Sequence, residues 1–326
     1  MARLGNILFI LLLTGAAAAI AATAWLDRET KAPGPLTAEK LLYIEPGSPI
    51  KNITGKLLEA GIIQNDVVFL IDARWRNGQE TLKAGEYNFP AGSSISGVIT
   101  LLQSGKTWQR RITVPEGLTV AEIVALLQSE PVLKGAVNLL PAEGSLLPET
   151  YNFSYGDTRQ SIIDRMEKSM QEELEILWEK RPPDFPLQTP QQAAVLASIV
   201  EKETALAGER RRVAGVFLNR LNRGIPLQSD PTVIYAVTQG SVKMNRALTW
   251  QDLKIHSAYN TYIVKGLPPA PIANPGKESL AAVLAPEKND YLYFVADGSG
   301  GHTFAKTLKE HNNNVARWRR MQKNIH

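Results

Sequence analysis

The stretch VLASIVEKETALAGERRRVAGVFLNRL, residues 195–221, holds an acid where an apolar residue is expected. It reads as one long helix. At about 100° per residue, Leu196, Ile199, Val200, Glu203, Leu206 and Ala207 recur at three- and four-residue steps and share a face. Glu201 points about 200° away, beside Ala194, Ala197 and Ala205, so the two carboxylates cannot serve one pocket. No Lys or Arg stands three or four residues from Glu203 to pair with it. A carboxyl group on an apolar stripe is desolvated, its pKa rises, and it becomes suited to general acid work near neutral pH. A solvated helix acid is the competing reading of the same residue.

Polar and aromatic residues downstream give that acid a setting. PLQSDPTVIYA places Gln228, Ser229, Asp230 and Tyr235 around a proline turn, and HSAYNTYIVKGLPPAPIANPG adds Tyr259, Asn260, Thr261 and Tyr262 before a rigid Gly-Pro loop. YLYFVADGSGGHTF reads as an alternating strand ending in a glycine turn with His302 and Phe304. Upstream, GSLLPETYNFSYGDT reads as an ordered loop with Glu149 and Tyr151 as polar handles. Each segment alone is an ordinary turn or hairpin. Together, aromatic faces interleaved with amides and hydroxyls fit a sugar ring, where a few placed polar groups fix orientation. Other chemistries fall away. The four histidines have no His-x-x-x-His spacing for zinc, LLQSGKT lacks the first glycine of a phosphate loop, and no G-x-S-x-G elbow occurs. With no cysteine, thiol catalysis, disulfides and a lipoprotein anchor are excluded.

Several elements must position these residues. From Leu4 to Leu26 there is no charged residue, a run that at ~1.5 Å per residue crosses a ~30 Å hydrocarbon core. An uncleaved anchor is expected over 1–26, although Ala22-Thr23-Ala24 resembles a small-residue cleavage site. Arg3 and the amino terminus form the positive flank, which puts the remainder outside the cytoplasm. Residues 27–38 read as a linker. Three segments then align on Gly47, Gly92 and Gly117, each with apolar residues three and six positions later and a closing Leu-Leu pair. The pattern predicts a short strand, a glycine turn and a three-turn amphipathic helix, repeated over 39–130 and resembling LysM-like α+β modules. Residues 158–180 read as a long amphipathic helix within a mixed α+β domain over 131–326. The fold class is therefore α+β, with an N-terminal transmembrane helix. The net charge of +4 is scattered, so a nucleic-acid partner is not expected.

The segments LASIVEKET, LQSDPTVIY, AYNTY, GLPPAPIANPG and YLYFVADGSGGHTF, in this order between about residues 195 and 304, resemble the YceG-like family. Ala236 and Ala270 depart from it, standing where glycine is expected. The resemblance implies an endolytic peptidoglycan lytic transglycosylase whose catalytic glutamate, the second acid of Glu-Lys-Glu, is Glu203. It carries Gln228, Asp230, Tyr235, Asn260 and Tyr262 over as cleft positions, and Ser229 and Glu149 complete the candidate substrate-binding set. The implied reaction cuts the N-acetylmuramic acid to N-acetylglucosamine β-1,4 bond within strands, leaves a 1,6-anhydro end and terminates nascent glycans. No metal or cofactor is expected. The aminodeoxychorismate-lyase label that some members carry would need pyridoxal phosphate on a lysine, and no matching site is evident. The implied location is the bacterial inner membrane, single-pass, with the main domain on the periplasmic side. Glycan strands and the membrane are the expected partners, and peptidoglycan synthases are candidates. Two alternatives stay open: a muramidase using Glu203 and Asp230, and a non-catalytic wall-binding scaffold.

Overall fold

The computed structural model describes residues 2–75, 81–241 and 243–323. It begins with helix α1 (Ala2–Lys31), of which Phe9–Lys31 is long and apolar enough to cross a membrane. Strand β1 (Lys40–Ile44), helices α2 (Ile50–Glu59) and α3 (Asp66–Trp75), strand β2 (Gly85–Phe89) and helix α4 (Ile95–Ser104) follow. Strands β1 and β2 pair antiparallel, with Leu42 opposite Tyr87. Ile53, Leu57, Phe69, Tyr87, Phe89 and Leu102 form the centre of this core. These elements make one compact unit, comprising the described residues up to Arg110 together with Asn152–Tyr155.

The segment read as a linker from residue 27 is helical as far as Lys31. Leu26 and Thr30, four residues apart on one face, are buried, and α1 packs against α3 and α4. An Asp27–Lys31 ion pair at 2.9 Å runs along the exposed side of the same turn. The lower end of α1 is thus part of the first core, and burial of its apolar stripe is what holds those polar residues helical.

A second unit contains Arg111–Tyr151 and the described residues from Gly156 onward. The chain runs through β3 (Arg110–Thr113), α5 (Val120–Ser129), β4 (Thr150–Phe153), α6 (Arg159–Glu179), α7 (Pro190–Glu203), α8 (Ala207–Asn222) and α9 (Asp230–Thr238). Helix α10 (Lys277–Leu284), the antiparallel hairpin β5 (Tyr293–Ala296) and β6 (His302–Ala305), and α11 (Leu308–Lys323) complete it. The three glycines that mark the repeat have φ of +75°, +68° and +75°, a left-handed conformation that only glycine adopts without cost. Each is followed by a ten-residue helix. The third copy, α5, clusters with the second unit, whereas the sequence reading grouped all three in 39–130.

Helix α7 is the axis of the second core. Thr189 caps it by accepting the Gln192 N–H at 3.2 Å, and Pro190 occupies its first turn. Every residue from Ala193 to Val200 is buried, and the small ones at 193, 194 and 197 let α8 and α10 approach closely. Full burial of side chains such as Ile199 and Val200 stabilises by about 1.5–3 kcal/mol each.

Residues 195–221 are two helices, not one. Thr204 is extended (φ −142°, ψ 130°) and its hydroxyl accepts the Leu206 N–H at 3.1 Å, a local bond that competes with helix continuation. Leu206 is 43% exposed and does not share the Glu203 stripe. The acid therefore stands in the last turn of α7 rather than at mid-helix.

Candidate active site

Two structural features desolvate Glu203. The helix beneath it is buried from Ala193 to Val200, and the chain folds back over it through the segment before α9. Ser229 lies there, 1% exposed, and its Oγ donates to Glu203 Oε1 at 2.5 Å. Ser229 is held in turn: its N–H donates to Thr261 Oγ1 at 3.0 Å, and its carbonyl accepts from the Thr232 hydroxyl at 2.6 Å. Burial pushes the Glu203 pKa from 4.5 up to about 7, against the lowering effect of the Ser229 hydrogen bond. The charge of Asp230 adds to the rise and His302 opposes it. Placement at a helix C-terminus, where carbonyls disfavour an anion, acts in the same direction as burial. His302 is tied to Glu209, Nδ1 to Oε2 at 2.7 Å, and the same carboxylate accepts its backbone N–H at 2.9 Å.

Glu203 opens onto a cavity of about 450 Å³ shared with Gln228, Asp230, Tyr262, Arg220 and Tyr293. The Tyr262 hydroxyl donates to Asp230 Oδ1 at 2.6 Å. Burial and that bond both hold the tyrosine in its neutral form. Gln228 has φ +54°, unusual for a residue with a side chain, and its N–H donates to the Thr261 carbonyl. Arg220 explains how the strain is held. It donates to the carbonyls of Pro226 and Leu292 and, at 2.5 Å, to Gln228 Oε1. With its oxygen engaged, the Gln228 amide has its two N–H donors left for a ligand. The cavity thus combines one neutral acid, one carboxylate, amide donors and the faces of Tyr262 and Tyr293. Such a set protonates a leaving oxygen and orients a hydroxylated ring.

The order of these parts along the chain has a counterpart among known proteins. Residues 42–317 match the model of the YceG-like family. The chain belongs to that family. It is 33% identical over 303 residues to an endolytic murein transglycosylase of Bacillus subtilis, covering 83% of this chain and 82% of that protein. A Streptococcus pneumoniae endolytic murein transglycosylase is 30% identical over 333 residues, covering 86% of this chain and 59% of its own greater length. A crystal structure of a putative YceG-like protein from Listeria monocytogenes is 31% identical, with a TM-score of 0.49, covering 84% of this chain and 98% of that one.

In this YceG-like chain the candidates from sequence separate into groups. Glu203, Gln228, Asp230 and Tyr262 line one cavity, with Ser229 directly behind the acid. Asn260 is fully buried; its amide donates to the carbonyls of Leu253 and Ile255, and its Oδ1 accepts the Tyr262 N–H at 3.0 Å. It shapes the turn that carries Tyr262. Tyr235 lines a different cavity, its ring 4.8 Å from Tyr259 and its hydroxyl 3.5 Å from Glu143. Glu149 pairs with Lys277 at 3.2 Å and is not among the residues lining the Glu203 cavity. Tyr151, read as a polar handle, is buried with its hydroxyl donating to the Leu147 carbonyl. Glu201, the other acid of the motif, is paired with Arg210 at 3.6 Å and accepts the Gly276 N–H at 3.0 Å, a structural anchor. Arg220, Tyr293 and His311 are in the cavity but escaped the sequence reading. The cue for Arg220 was available: an Arg among the apolar positions of α8, where a cation needs fixed partners.

Proposed function

We propose that this chain is an endolytic murein transglycosylase anchored in the membrane by α1, with Glu203 as its acid and base. The observation that carries the reading is the Glu203 environment: a buried carboxyl with a pKa near 7, bonded to a hydroxyl and, among the described residues, to no cation, on the wall of a cavity sized for sugar units. Curated relatives with this activity match over most of the chain and support the substrate class.

In the reaction, protonated Glu203 gives its proton to the bridging O4 oxygen as the C1–O4 bond breaks. The resulting carboxylate takes the proton of the muramic acid C6 hydroxyl, whose oxygen forms the new bond to C1. The products are a free 4-hydroxyl and a 1,6-anhydro end, and Glu203 is protonated again. Because the nucleophile belongs to the substrate, no second carboxylate is needed to activate water. Ser229 stabilises the carboxylate between the two transfers, and Gln228 and Tyr262 orient the sugar. Burial holds the Glu203 pKa up, and Asp230, bound to the Tyr262 hydroxyl, adds to the rise.

The first unit has the order β1–α2–α3–β2 with the two strands antiparallel, which supports a LysM-like glycan-holding role for residues within 39–130. The catalytic domain of the proposal spans 131–326. An anchor confines cutting to strands near their site of synthesis, on the outer side of the cytoplasmic membrane, beside the synthases that make them.

The test is mass spectrometry of products released from purified peptidoglycan by the full-length protein and by its Glu203→Gln variant. Anhydro-ended fragments from the wild type alone are expected. Reducing ends would instead mean hydrolysis with Asp230 as partner, and no products from either, together with intact cellular function of the variant, would mean a scaffold.

A further inference from the structure

Beside α9 lies a second cavity of about 290 Å³, lined by Thr119, Glu122, Lys202, Tyr235, Lys243 and Arg246 among others. Its connection to the acid is direct in sequence. Lys202 precedes Glu203 on α7, and Pro231, which lines the second cavity, follows Asp230, which lines the first. Neighbouring helix residues diverge by about 100°, so this cavity opens sideways from the one that Glu203 lines.

Its walls are held open. The Thr119 hydroxyl donates to the Gly240 carbonyl at 2.7 Å, joining segments 121 residues apart. Gly240 has φ +68°, and a Cβ there would come within 2.9 Å of the Tyr235 ring. Its charges do not cancel. Arg246 makes a two-armed pair with Asp252, and Glu122, whose Oε2 accepts the Thr119 N–H at 2.9 Å in capping α5, is the acidic side chain of the lining. Lys202 Nζ donates to the Gly117 carbonyl at 3.0 Å, which orients the ammonium while leaving two of its three protons free. Neither Lys202 nor Lys243 forms an ion pair among the described residues. The result is a small pocket whose lining carries two unpaired cations and one acid beside an aromatic ring, a net positive balance.

We infer that this pocket binds the anionic peptide branch of the muramic acid residue whose bond is cut, with Lys202 and Lys243 receiving its carboxylates. The inference rests on the proposed function. Murein is a glycan that carries a short acidic peptide on the lactyl group of its muramic acids, so a branch leaves the strand from the same sugar whose C1–O4 bond is cut. A volume near the lower end of the ~300–1000 Å³ common for small-ligand pockets holds the start of such a branch, not a further stretch of glycan. The pocket then works as a register device: it admits a strand only with a peptide-bearing muramic acid at the acid, so that the sugar supplying the C6 hydroxyl is the one attacked. A strand shifted by one sugar would leave both cations unpaired, which is a specificity device as well as a binding one.

The experiment uses full-length protein in detergent and two forms of uncrosslinked strand, one with free peptide carboxylates and one with those carboxylates amidated. The wild type, Lys243→Glu and Lys243→Arg are compared by KM for release of ends. A partly solvated charge pair worth about 1 kcal/mol corresponds to about a fivefold change in affinity. Amidation should raise the wild-type KM about fivefold or more, Lys243→Glu should raise it similarly on free-acid strands, and the two changes together should do no more than one alone. Lys243→Arg should retain the wild-type preference. Equal KM for both strand forms, or fully additive effects, would overturn the inference while leaving the cleavage reading intact. Absence of cleavage of either form by the wild type would overturn the function on which the inference rests.

Discussion

Replacing Ser229 with alanine should move the alkaline limb of the pH–rate profile upward. Ser229 Oγ donates to Glu203 at 2.5 Å and is the one group whose hydrogen bond pulls the acid's pKa down against its burial. A hydrogen bond to a charged group contributes about 1.5–3 kcal/mol. Water entering the space recovers part of that, leaving about 1.4 kcal/mol, or one pKa unit. The general acid works only when protonated, so activity falls as pH rises through its pKa. With a pKa of about 7, roughly one molecule in eleven is competent at pH 8; one unit higher, about half are. At pH 6 nearly all are competent in both forms. The ratio of variant to wild-type kcat/KM should therefore rise about fivefold between pH 6 and pH 8, whatever uniform loss the substitution causes through looser positioning. The assay is release of new glycan ends at fixed ionic strength across that range. A ratio that is flat, or that falls with pH, would refute the assignment of the serine as stabiliser of the carboxylate and of Glu203 as the titrating acid.

Two further outcomes follow from buried charge. Because the folded state holds the Glu203 proton up to about pH 7 while an unfolded glutamate loses it near 4.5, wild-type stability is fully present below about 4.5 and declines as pH rises through 7. Glu203→Gln has no such decline, so in urea titrations it should match the wild type near pH 4 and exceed it by up to about 3 kcal/mol at pH 8; parallel pH dependences would contradict the burial. Arg220→Lys should lower stability by on the order of 3 kcal/mol, since a point ammonium cannot reach Pro226, Leu292 and Gln228 together and buried acceptors left unmet cost about 1–3 kcal/mol each. A shift in denaturation midpoint equivalent to less than 1 kcal/mol would show that those bonds are easily replaced by water.

Local rules made much of the fold legible. Gly47, Gly92 and Gly117 could be aligned because a left-handed turn demands glycine, and in the structure the hydroxyls of Ser94, Thr119 and Thr189 cap the helices α4, α5 and α7 by satisfying free backbone N–H groups. Glu203 was legible from periodicity up to its own position, since Leu196, Ile199 and Val200 do share its buried helix. The break at Thr204 was not, because Leu206 and Ala207 continue the three-to-four spacing in sequence while one extended residue redirects the backbone. Ser229 behind the acid and Arg220 behind Gln228 were invisible as partners for a different reason. Those contacts join α7, α8 and the approach to α9, and no periodicity within one segment carries information about a neighbour brought in by tertiary packing. The sequence also treated Glu149, Tyr235 and Asn260 as equals of Gln228, since composition cannot distinguish a side chain that faces a cavity from one that closes a turn.

The burial of Leu26 and Thr30 in the first core changes what the proposed anchor does mechanically. A flexible tether would let a wall enzyme graze through a hemisphere whose radius is the length of the tether. A helix that leaves the bilayer and enters a core without interruption is a post: it sets the altitude of the first unit above the lipid and, through its helical phase, the compass direction that the unit faces. Distance from the membrane then becomes a measured quantity, and the glycan-holding unit of the proposal is a gauge that meets new strands at one height.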